Sequence, residues 1–114
     1  MNLLENTIGF LYLILAVFFF ITQILVRRFP PKGINGVYGY RTKRSMKNQE
    51  SWDFAQAHAN EMMRWMAFVF LAISALFYYF DISFYNDLYI MISLFVILLG
   101  VMVYQTERAL KSRF

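Results

Sequence analysis

Cysteine is absent from the 114 residues, which removes disulfides, cysteine-based metal sites and thiol chemistry together. Charge is scarce as well. Only 16% of the residues are Asp, Glu, Lys or Arg, whereas 60% are hydrophobic and 20% aromatic. A water-soluble domain of this length buries too small a share of its chain to hide that much apolar surface, so the composition predicts a lipid environment. The single histidine, His58, has no second His and no Cys with which to share a metal ion. Glu61 follows it by three residues, and His-x-x-Glu alone is a weak metal signal. The long apolar runs carry no acid or base at mid-depth, where ion-coupled pumps and carriers keep their functional charges. Paired carboxylates and a Ser-His-Asp order are also missing. These absences predict a protein that is not an enzyme, with no catalytic residue, no cofactor and no metal.

Three apolar runs are present. Ile8 to Val26 is uncharged over nineteen residues. As a helix it reaches about 28 Å, close to the thickness of a bilayer's hydrocarbon core. The flank before it holds Glu5 and no base, and no small-residue cleavage motif follows, so the run reads as an uncleaved span rather than a signal peptide. Gln23, near its basic end, is placed to reach headgroups or a neighbouring helix. Arg27-Arg28 stops the run and Pro30-Pro31 forbids its continuation as a helix. The second span is predicted at 62–80, with Arg64 able to snorkel to the interface, and the third at 88–104. A seven-residue connection, 81–87, separates them, with Asn86 or Asp87 as the helix cap. Beyond 104 the helix is expected to continue, with Glu107 and Lys111 spaced for an i,i+4 pair. Trp65, Tyr78, Tyr79, Tyr85, Tyr89 and Tyr104 lie near span ends, as interfacial aromatics do.

The region 27–61 is the one long polar stretch. Gly33, Gly36 and Gly39 break its first part, and Asn35-Gly36 is a turn signal. No Gly-Lys-Ser/Thr follows and no strand precedes, which disfavours a phosphate cradle. From about Asn48, a suitable N-cap, helical periodicity sets in. Trp52, Ala55, Ala59, Met62, Met63 and Met66 share one face, and Glu50, Asp53, Ala57, Asn60, Glu61 and Arg64 the other, with Phe54 out of place on the polar side. This is an amphipathic helix. It either lies in the interface plane, bending into the second span near Asn60, or extends that span straight. The expected architecture is therefore an all-α membrane protein forming a single domain over 1–114. It has three transmembrane helices, plus a cytoplasmic amphipathic, interfacial helix between the first and second. Ala72, Ser74, Ala75, Ser93 and Gly100 could let helices approach closely, within the chain or in a homo-oligomer.

Eight of the eleven Lys and Arg residues fall between Arg27 and Arg64, and the other three are Arg108, Lys111 and Arg113. The opposite flanks carry Glu5, Asp81 and Asp87. The positive-inside rule then predicts a cytoplasmic loop and C-terminus and an external N-terminus. Arg41, Lys43, Arg44 and Lys47 form a basic cluster that could meet an acidic protein, nucleic acid or anionic lipid. Tethering beside a bilayer favours lipid, and no nucleic acid is expected.

Within that loop stands Tyr38-Gly39-Tyr40-Arg41-Thr42, followed by Ser45, Asn48, Trp52, Ala55 and Ala59. This string resembles the SdpI/YfhL family of small bacterial membrane proteins, which has a Gly-x-Arg-Thr element, a short spacer and a Trp-bearing helix. The resemblance runs from about Asn35 to the end of the third span. It implies a multi-pass protein of the bacterial inner membrane, immunity to a membrane-active peptide toxin, and a cytosolic regulator held at the membrane. Gly39, Tyr40, Arg41, Thr42, Ser45, Asn48 and Trp52 are the candidate partner-binding residues. Arg41 is the one whose guanidinium could grip a carboxylate or phosphate bidentately. Some members of the family carry a further N-terminal membrane domain and a His four residues after the tryptophan. Here that position is Gln56. A membrane scaffold or signalling adaptor without an immunity role is the alternative reading, and the same motif could serve as a structural clasp.

Overall fold

The computed structural model describes residues 7–80 and 87–114. It holds three helices, α1 (Thr7–Arg28), α2 (Gln49–Phe80) and α3 (Asp87–Arg113), with no strand among the described residues. Each helix is long and apolar enough to cross a membrane. The expected spans lie inside them, and each helix runs beyond the predicted limit. The 81–86 connection, with Tyr85 and the Asn86 cap, and the N-terminal flank with Glu5 lie outside the described residues.

Of the two readings of the amphipathic helix, the structure has the straight extension of the second span, and no separate interfacial helix occurs among the described residues. Residues 49–80 form one continuous helix, and Asn60 makes no break in it. The reason is local. No Gly or Pro occurs from Gln49 to Phe80, so nothing interrupts the i→i−4 ladder. Amphipathic periodicity is the same for a helix lying on a surface and for one packed along its side. The 32 residues of α2 extend about 48 Å, well beyond a hydrocarbon core. Its N-terminal half stands on the side of the polar loop, with Asn48 capping it: the Asn48 carboxamide oxygen accepts from the Ser51 N–H at 2.8 Å.

The apolar core lies between α1 and α2. Tyr12, Ala16 and Phe19 meet Met66, Ala67, Phe70 and Phe77, and α3 adds Met91. Ala16 and Ala67 are fully buried, and their lack of bulk lets the two backbones come close. Aromatic rings fill the remaining space. Phe19 stacks on Phe70 at 5.7 Å, Tyr12 meets Phe77 at 5.4 Å, and Phe95 of α3 leans on Phe19 at 5.9 Å. Ser74 donates to the Gly9 carbonyl at 2.8 Å, so one of the predicted small residues does join two helices. Ala72, Ala75, Ser93 and Gly100 are instead exposed. Trp65, Tyr78, Tyr79, Tyr89 and Tyr104 are exposed near the span ends, as interfacial aromatics should be.

Candidate functional site: a polar cap over the helix ends

The chain between α1 and α2 folds back as a cap, and proline starts it. Pro31 is buried, and its carbonyl accepts a 2.5 Å hydrogen bond from the indole N–H of Trp52. Trp52 is completely buried. A buried tryptophan needs a partner for its N–H, and a proline carbonyl, on a residue that cannot continue a helix, is available to provide one. The next carbonyl, that of Lys32, accepts from the Gln49 side chain at 2.5 Å.

The glycine-broken part then closes on itself. The Asn35 carboxamide oxygen accepts from the N–H groups of Val37 and Tyr38 at 2.9 and 2.7 Å, which makes the predicted turn. The Tyr38 hydroxyl donates to the Phe29 carbonyl at 2.8 Å. Arg41 is exposed, and its guanidinium donates to the Gly36 carbonyl. Gly39 is the one glycine whose backbone demands it, with φ at +105°. A Cβ there would also lie 2.6 Å from the Gln56 oxygen and 3.0 Å from Pro31.

Gln56 explains that close approach. Its side-chain oxygen accepts from the Tyr40 N–H and its NH₂ donates to the Tyr40 carbonyl, both at 2.7 Å. A carboxamide carries donor and acceptor side by side, so one side chain can satisfy both backbone groups of one residue. The donor and acceptor of an imidazole diverge, so a histidine could not reproduce this bridge. Ser45, fully buried, ties the following turn: its hydroxyl accepts from the Thr42 N–H at 2.8 Å and faces the carbonyls of Thr42 and Tyr40 at 3.0 and 3.2 Å.

The cap reaches α3 through Glu107. One carboxylate oxygen accepts from the Thr42 hydroxyl at 2.6 Å and from the Tyr40 hydroxyl at 2.9 Å. The other lies 3.6 Å from Nε of Arg44. The expected Glu107–Lys111 pair is therefore corrected. Among the described residues no ion pair joins them, because the loop offers Glu107 two hydroxyls and a guanidinium at once. Burial, then the hydrogen bond and charge of Glu107, raise the Tyr40 pKa, against a lesser lowering by Thr42. Tyr40 therefore stays a donor at all ordinary pH.

A second link lies beside this one. Nδ1 of His58 sits 2.8 Å from the hydroxyl of the buried Thr106. Phe54 stacks on His58 and meets Phe114 edge-on, and the Arg113 guanidinium lies 4.8 Å over its ring. The out-of-place Phe54 thus faces the end of α3.

Of the seven candidate residues, Gly39, Tyr40, Thr42, Ser45, Asn48 and Trp52 all serve the internal bonding of the cap. Arg41 alone is spent on an exposed contact. Sequence reasoning missed Pro31, Gln56, Thr106 and Glu107 as members of this set. Two signals were available: Gln56 lies one turn after Trp52 on its face, and Glu107 is the only acid on α3 beyond Asp87.

These features define a class, a three-helix membrane module with a hydrogen-bonded polar cap at one end. The family follows from the match of residues 32–105 to the family model described as the SdpI/YfhL protein family: the chain belongs to that family. Over 43 residues the chain is 51% identical to "Uncharacterized protein YfhL" of Bacillus subtilis (strain 168), a stretch covering 38% of this chain and 39% of that protein. No solved structure matches the chain.

Proposed function

We propose that this is an SdpI-type immunity protein of the bacterial cytoplasmic membrane. It protects that membrane against a membrane-active peptide toxin and relays the toxin's presence to a cytosolic regulator held by the cap. Family membership supports the class, and the base count of the sequence supports a cytoplasmic cap and C-terminus. The observation that carries the relay is the shared carboxylate of Glu107. It joins the motif residues Tyr40 and Thr42 to α3, the helix with the most exposed apolar face. A peptide that displaces α3 in the bilayer would move Glu107 against the loop and change the basic surface around Arg41, Lys43 and Lys47. In this reading the motif forms the relay's clasp, and the exposed bases are the partner's contact.

The test combines survival with capture. Cells lacking the protein should be more sensitive to a peptide toxin from kin strains. Arg41→Ala should lose a loop-dependent partner from native membranes while still inserting. Unchanged sensitivity across a broad toxin panel would sink the immunity reading. A scaffold or adaptor role without immunity is the second reading, favoured by the exposed Arg41, Lys43 and Lys47 on a bonded backbone. Partner capture with no toxin phenotype would select it.

A further inference from the structure

Beside the cap lies an open cavity, and Pro31, Gln49 and Gln56 of the cap form part of its wall. Its volume is about 660 Å³, and it opens between the end of α1 and the N-terminal half of α2. Arg27, Lys32 and Arg64 line it, together with the acids Asp53 and Glu61. Both acids already have partners. Glu61 pairs with Arg64 at 3.1 Å and Asp53 accepts from the Gln49 side chain at 2.7 Å. Arg27 and Lys32 take part in no ion pair among the described residues. Three bases against two acids leave one positive charge. Asn60 and Arg64 also line the cavity, and their Oδ1 and Nε atoms are buried without a protein partner.

The position of the cavity narrows the ligand. Arg27 is where the uncharged run of α1 ends, and Gln23, one turn earlier, is buried in the cavity wall. Continuing down the same stripe of each helix, Phe20 of α1 meets Phe68 of α2 edge-to-face at 5.1 Å. Trp65, exposed, leans on Phe68 at 6.2 Å. A pocket with one excess positive charge thus stands directly above an aromatic seam. An amphiphile has that order of parts: a singly charged anionic head and an apolar tail.

We infer that this cavity is a binding site for the phosphodiester headgroup of an anionic phospholipid, held by Arg27, Lys32 and Arg64, with the acyl chains lying along the Phe20–Phe68 seam. The single net charge suits a diester better than a free phosphate. Arginine forks and lysine are the usual partners of phosphate oxygens. This site makes no use of Glu107 or of the exposed face of Arg41, so it stands apart from the immunity reading.

The test uses the full chain, delipidated in a neutral detergent, so that no bilayer surface contributes general attraction. Phosphatidylglycerol is added back, and the lipid retained per protein is read by native mass spectrometry. Diacylglycerol with the same chains is the arm that lacks the phosphate. Wild type should retain phosphatidylglycerol and not diacylglycerol. Arg27→Gln/Lys32→Gln should weaken retention on the order of tenfold to a hundredfold. Arg28→Gln/Arg108→Gln removes the same charge outside the cavity and should leave retention within about twofold of wild type. Circular dichroism reports whether each variant stays folded. Equal loss in both double variants, or equal retention in all, overturns the site. Displacement of the lipid by inorganic phosphate overturns its assignment to a lipid.

Discussion

The two helix contacts in this molecule are made in different ways. α1 lies against α2 along most of its length through aromatic rings and alanines. α3 adds Met91, Phe95 and neighbouring apolar side chains to that core, and at one end it is tied to the loop by two hydroxyls sharing the Glu107 carboxylate and to α2 by the His58 imidazole. Of an 18-residue apolar stretch in each helix, 28% is buried within the protein in α1 and in α2, and 6% in α3. Lipid tails are as apolar as leucine, so apolar exposure alone does not drive α3 inward in a bilayer. The polar cap therefore largely decides where α3 sits, while α1 and α2 hold together through packing. One half of the fold resists change by close fit and the other by directed hydrogen bonds.

Breaking the cap at its anchor should have the largest effect. Trp52→Ala removes a fully buried ring and leaves the Pro31 carbonyl unpaired, so a loss of about 3–5 kcal/mol is expected. Thermal unfolding in detergent should show it as a large drop in midpoint. A midpoint close to wild type would mean that the cap adds little to the fold.

Glu107→Gln sharpens the comparison directly. It removes the charge that two hydroxyls and Arg44 share, at a cost of about 1–3 kcal/mol. The loss should appear as greater mobility between spin labels on the end of α3 and on the loop. Labels on α1 and α2 should keep their wild-type separation. If both pairs loosen together, the two contacts are not independent.

A smaller effect follows from Tyr40. Its pKa is raised in the folded state above the ordinary 10.0, so the folded form binds the proton more tightly than the unfolded form. Its contribution is fully present below the unfolded value of 10.0 and is lost as pH rises beyond it. Tyr40→Phe should cost about 0.5–1.5 kcal/mol at neutral pH and should flatten this alkaline loss. A stability profile above pH 10 that is identical in the variant would remove Tyr40 as the cause.

The smallest effect is expected on the lipid-facing side of α3. A Cβ at Gly100 meets nothing within 4 Å. Gly100→Ala should be neutral, or stabilising by up to roughly 1 kcal/mol through backbone entropy. A clear destabilisation in a bilayer would show that another surface covers this face.

The helices were legible in the sequence because their signals are local. Uncharged runs of sufficient length, the Arg27-Arg28 stop, the Pro30-Pro31 break and the Asn48 cap each act within a turn or two of themselves. The cap's membership was less legible. Gln56 bonds a residue sixteen positions back, and Glu107 bonds residues more than sixty positions away. No periodicity records such pairings. Glu107 looked like half of a helical ion pair because i,i+4 spacing is the only local reading open to it. The choice between a bend near Asn60 and a straight extension stayed open for a related reason: an amphipathic pattern says which face is polar, not what lies opposite.

The continuity of α2 also has a mechanical side. It acts as a stiff lever of about 48 Å, carrying Trp52 near one end and the core ring Phe70 in its other half. Pivoting such a rod about its centre by about 10° displaces its tip by roughly 4 Å. Gln56 lies closer to the centre and moves by roughly 2 Å, still enough to break a hydrogen bond of ordinary length. A change in bilayer thickness that retilts the rod would thus reach the Tyr40–Gln56 bridge as a shear, without any side chain in the membrane having to change its partner.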